Sequence, residues 1–101
     1  MNEMESFVMG HHHFKEVWTP IVGEELQCYR EERNPYDHNA VGVFKREGIR
    51  SLLLVGRVPK ELSSQFAAAL DRGRSITCTI TGHRENRRGR GLEVPCTYSM
   101  Q

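Results

Sequence analysis

The sequence has no apolar stretch near the ~18 residues that a membrane-spanning helix needs; its LLLV run, Leu52–Val55, suits one strand. The first ten residues, MNEMESFVMG, carry acids where a secretory leader would carry a basic flank before a long apolar core. Cysteine is scarce and odd in number. Cys28, Cys78 and Cys96 cannot all pair, which argues against a secreted disulfide framework and for an intracellular protein, nuclear or cytoplasmic. No C-x-x-C pair occurs, and all three cysteines fall on the inward parity of strand-like stretches. They are therefore read as small core hydrophobes, with no metal or other cofactor expected. There is no G-x-S-x-G, no phosphate-cradling glycine loop with its lysine, and no H-E-x-x-H. The acid pairs Glu24-Glu25 and Glu31-Glu32 alternate across strands, so neither makes an acid–base dyad. These absences point away from an enzyme.

What is present fits one small domain over residues 1–101, with its core about 8–99. Net charge is only +1, but its distribution is uneven. Residues 1–56 hold six Lys/Arg against nine Asp/Glu, and residues 57–101 hold eight against four. Such asymmetry can create a positive face.

Three histidines, His11–His13, are read as leading into a first strand, with Phe14 and Trp18 close behind. EELQCYRE, residues 24–31, alternates with Leu26 and Cys28 on one face. A second strand follows over Asn39–Lys45, a turn at Glu47-Gly48, and a third strand over Arg50–Val58, whose leucines suggest burial on both faces. The period then changes. Pro59 is placed at the first helical position, where a missing N–H costs nothing. Leu62, Phe66, Ala69 and Leu70 share one helix face, and Gly73 is a natural C-terminal cap. Alternation returns over Ile76–Ile80 and Leu92–Tyr98, a hairpin around the basic loop HRENRRGR; Pro95 on the outward parity suggests an edge or a bulge. The pattern predicts an all-β fold with one main helix: a small OB-like or SH3-like antiparallel β-barrel of five to six strands.

One stretch stands apart: REERNPYDHNAVGVF. Asn34 and Pro35 are good turn chemistry, and Asp37 can accept backbone N–H groups to stiffen the loop. Yet the same turn sets a large aromatic beside a carboxylate at the lip of a strand. Together with the later GRVPKEL, this block resembles the HIRAN domain family. That family shows R-E/D-x-x-N-P-Y-D-x-N-A-[VI]-x-V followed by G-x-[VL]-[PK]-[RK]-E-[LVI]. The match is strong over Arg30–Val43 and Gly56–Leu62, a weaker correspondence extends to the IVGEEL entry strand and the final strands, and together they cover most of residues 14–82. The phrases WTPIVGEEL and GLEVPC also resemble short stand-alone HIRAN-like proteins.

The resemblance implies an OB-like barrel of the kind often attached to helicases or nucleases. In a fork-remodelling member it captures the 3′ end of single-stranded DNA. By similarity, Tyr36 would stack on a base, Asp37 would hold the 3′-hydroxyl, and Asn34 would touch the terminal nucleotide. Arg57, which replaces a histidine of that member, and Lys60 would meet phosphates. A second stacking aromatic would come from Phe14 or Trp18. In the basic loop, Arg87 and Arg88, with Arg84 and Arg90, either form a solvated tip or extend the groove as a phosphate clamp. The expectation is a non-catalytic module for single-stranded DNA 3′ ends, any catalysis coming from helicase or nuclease partners, with no membrane partner. The alternative, favoured by the near-zero net charge, is a protein-interaction or adaptor β-barrel that has lost DNA-end binding.

Overall fold

The computed structural model describes residues 2–31, 33–86, 89 and 91–101. Among them six strands form one sheet: β1 Asn2–Val8, β2 Glu25–Arg30, β3 Val41–Glu47, β4 Ser51–Arg57, β5 Ile76–Ile80 and β6 Val94–Met100. A single α-helix, α1 Lys60–Asp71, follows β4. The strand order is β1-β6-β5-β2-β3-β4, and every neighbouring pair is antiparallel. The fold is all-β with one helix and is OB-like.

The sheet curls without closing into a continuous barrel. Its two edge strands meet at one bridge, where Met9 and Arg57 exchange both backbone hydrogen bonds, at 2.8 and 2.9 Å. Gly56 makes that seam possible. A Cβ there would lie 2.3 Å from Val8 Cγ1, closer than real side chains come, and a tight 3.0 Å from the Met9 carbonyl oxygen. A register shift between Val43 and Phe44 marks a bulge in the β3–β4 ribbon.

Inside the curl, Val8, Leu26, Val43, Val55, Ile76 and Ile80 pack with α1 residues Phe66, Ala67 and Ala69. The three cysteines lie in this core as free thiols. Burial raises the pKa of Cys28, and a hydrogen bond with Cys96, then burial, raises that of Cys78. Tyr98, 1% exposed, satisfies its hydroxyl by donating to the Phe7 carbonyl at 2.8 Å. Among the described residues no His, Cys, Asp or Glu group is arranged to hold a metal ion, and no helix is long and apolar enough to cross a membrane.

Four local expectations change. The first strand precedes the histidines: β1 pairs with β6 from Asn2 to Val8, while His11–His13 form a 3-10 turn entered through Gly10 at φ 73°. Pro59 is the residue before α1, with Lys60 its first helical residue. β4 is an edge strand, so Leu52 is exposed and Leu53 and Leu54 are half-buried. Pro95, conversely, sits in a central strand, paired with Phe7 on one side and accepting from Thr81 N–H on the other at 2.9 Å. Its missing donor falls at the mouth of β5, where Gly82 leaves room for the ring. The helix end is as expected: Gly73, at φ 81°, donates to the Leu70 carbonyl and Arg74 to that of Ala69, satisfying two terminal carbonyls.

Two outcomes follow for stability. Gly56→Ala forces the seam apart and costs about 2 kcal/mol or more, read as a lower urea midpoint by the fluorescence of the single buried tryptophan. His11 is fully buried and its pKa is lowered from 6.5, chiefly by burial and then by Arg84, His12 and Lys15. Protonation therefore favours the unfolded chain. The urea midpoint is flat above about pH 7 and falls as pH drops below about 6.5, and His11→Gln flattens that fall.

Candidate nucleic-acid interface

The loop between β2 and β3 builds itself from its own hydrogen bonds. Asn34 Oδ1 accepts the N–H groups of Tyr36, at 2.8 Å, and Asp37, at 3.2 Å. Asp37 Oδ1 accepts Asn39 N–H at 2.9 Å. Glu31 N–H reaches the Ala40 carbonyl at 2.9 Å and closes the loop neck. Arg30 ties the loop to the helix: Nη1 bonds both Asp71 carboxylate oxygens, at 3.0 and 2.8 Å, and Nη2 donates to the His38 carbonyl.

With the backbone held this way, the Tyr36 ring projects into solvent, 95% exposed. It lines two cavities. The larger, about 580 Å³, brings together Asn34, Tyr36, Asp37, Arg57 and Lys60, with Met9 and His13 on the far wall. The smaller, about 490 Å³, shares Asn34, Tyr36 and Arg57 with it and is also lined by Arg30, Glu31 and Arg33. Asn34 is thus at the site, but its carbonyl oxygen is spent on the turn. Among the described residues Asp37 Oδ2 accepts no hydrogen bond and remains open to a donor.

Lys60, exposed, opens α1, whose first turn is capped by no side chain. The helix therefore presents uncapped amide donors and the positive end of its dipole near the larger cavity. Arg57 divides its roles. Its backbone forms the seam; its guanidinium is gripped side-on by Glu31, Nε to Oε2 at 2.7 Å and Nη2 to Oε1 at 2.9 Å. That hydrogen bond raises the Arg57 pKa against the opposing effect of burial. The arrangement can stack a planar ring, accept a hydroxyl and meet an anion within one groove.

A model of the HIRAN domain matches residues 1–99. The chain belongs to the HIRAN domain family. The crystal structure of the HIRAN domain of human HLTF is similar, with a TM-score of 0.74 and 20% identity over 97% of this chain and 74% of that one. A crystal structure of a protein from Lactobacillus plantarum is also similar, with a TM-score of 0.61 and 17% identity over 96% of this chain and 97% of that one. At these identities the likeness is one of fold. No curated protein matches the sequence. The HIRAN domain is known as a DNA-binding module rather than a catalytic one.

The two candidates for a second stacking aromatic are placed differently. Trp18 is 2% exposed; its Nε1–H donates to Glu24 Oε1 at 3.1 Å and its ring meets His11 edge-on. An indole N–H can be buried once it has an acceptor, and Glu24 supplies one, so Trp18 offers no stacking face. Phe14 is half-buried and lies beneath Arg57, whose guanidinium carbon is 5.9 Å from the ring centroid. It lines neither cavity and serves as a cation–π shelf for Arg57. Arg87 and Arg88 lie outside the described residues; Arg84 of the same loop contacts His11 Nε2 at 3.3 Å. Sequence reasoning missed Met9, His13, Arg33 and the Glu31 grip. The first two depend on where β1 ends, and Glu31 meets Arg57 across 26 residues.

Two substitutions separate turn from surface. Asn34→Ala removes the acceptor of two loop amides and costs about 1 kcal/mol of folding stability. Tyr36→Ala leaves the denaturation midpoint within about 0.5 kcal/mol of the parent.

Proposed function

We propose that this domain is a non-catalytic reader of single-stranded DNA ends, taking a free 3′-hydroxyl terminus into the groove beside Tyr36. The observation that carries the reading is the convergence of a fully exposed ring, a carboxylate with one open oxygen and Lys60 at an uncapped helix start around one cavity. An exposed aromatic stacks on any base, worth about 1–3 kcal/mol with little sequence preference. Asp37 repels a terminal phosphate and welcomes a hydroxyl donor. Lys60 and the first amides of α1 suit the preceding phosphate. Arg57 contributes the donors that Glu31 leaves over, and Asn34 holds the turn that aims the ring. A phosphate-binding role for Arg87 and Arg88, which lie outside the described residues, belongs to the same reading. In the cell, nuclear or cytoplasmic, a helicase or nuclease partner supplies any chemistry on the captured end.

The test is binding of one oligonucleotide sequence carrying either a 3′-hydroxyl or a 3′-phosphate. The hydroxyl form binds more tightly, Asp37→Asn narrows the difference, and Tyr36→Ala weakens binding of both by about 1–3 kcal/mol. Equal affinity of the parent protein for the two ends would remove Asp37 from its role.

A further inference from the structure

We infer that Glu31 is a specificity-determining residue: by neutralising Arg57 it lets the groove take a strand's end and leave its polyanionic interior. The inference rests on the reading of the groove as a single-stranded DNA site and adds what limits that site.

Arg57 is held at both its backbone and its side chain. Its backbone is fixed by both hydrogen bonds of the Met9 bridge, its guanidinium lies over Phe14, and Glu31 holds it by two donors at once. Glu31 is equally fixed. Its N–H is bonded to Ala40, its carbonyl accepts Asn34 N–H at 3.2 Å, and its side chain is only 13% exposed, against 39% for Arg57. A carboxylate so enclosed cannot swing into water to make way for a phosphate. Any phosphate near Arg57 therefore meets an ion pair rather than a free cation. The Arg30–Asp71 pair differs: its carboxylate is 57% exposed.

The charges around the two cavities follow the same logic. Among the described lining residues the cations are Arg30, Arg33, Arg57 and Lys60. The anions are Glu31, Asp37 and Glu61, while Arg30 is held by Asp71 outside the groove. Cations and anions balance once that pairing is counted. Binding along a strand interior is driven by cations that displace condensed counterions. A balanced groove gains little from that source. A terminus gains instead from the ring and from the hydroxyl on Asp37, neither of which depends on net charge. Glu31 is the anion whose removal tips this balance, because it is the one that touches a cation facing both cavities.

The experiment compares a linear single strand bearing a 3′-hydroxyl with the same sequence closed into a circle, at ~50 mM salt and across a salt series. In Glu31→Gln, affinity for the circle rises about three- to tenfold, as expected for removing one opposing charge at close range. Its log–log salt slope steepens by about 0.7. The linear strand gains less, so the preference for ends falls. Glu31→Asp keeps the charge and keeps the parent's preference. An unchanged or weaker affinity of folded Glu31→Gln for the circle overturns the inference, as does a Glu31→Asp that loses the preference. A parent protein that binds the linear strand while Glu31→Gln leaves the ratio untouched defeats only the role of Glu31. A parent that binds neither ligand defeats the DNA reading itself, and this inference with it.

Discussion

A pair of backbone hydrogen bonds between Met9 and Arg57 governs this molecule. They join the two ends of an otherwise open six-stranded sheet and fix its curl. The curl brings the segment after β1 against the end of β4, so Met9 and His13 become the far wall of a groove whose near wall is the β2–β3 loop. Pro59 and Lys60 follow within three residues of the seam, which sets the start of α1 at the same place. Gly56 is the steric condition for all of this.

The loop that faces the seam is organised on a different principle. It owes little to the core and nearly everything to polar contacts, most of them local: Asn34 to two following amides, Asp37 to a third, and Arg30 to a carbonyl and to the Asp71 carboxylate on α1. A loop stabilised from within can hold a large aromatic in water without burying it, which hydrophobic packing alone would not do. This is why the candidate site combines an exposed ring with fixed surroundings.

Local chemistry was legible in the sequence. The turn at Asn34-Pro35, the helix face of Leu62, Phe66 and Ala69, the cap at Gly73, the hairpin around the basic loop and the inward cysteines all depend on neighbours within a few positions. Tyr36, Asp37, Arg57 and Lys60 were also found in the sequence, through the family pattern, and the structure brings them to one cavity. What was hidden depends on strand neighbours. Parity along a strand reveals which face is apolar but not whether the strand is central. The leucines of β4 therefore promised a buried strand and Pro95 an edge, and the sheet order reverses both. β1 was overlooked because Glu3 and Glu5 alternate outward and leave only Met4 and Val8 to mark its apolar face. Trp18 looked available until Glu24 supplied an acceptor for its indole.

Because the seam uses only the main chain of residue 57, the side chain at that position carries no structural duty in closing the sheet. The side chain there can therefore change without reopening the fold. Selection can thus retune the groove's chemistry through one codon while leaving the scaffold intact.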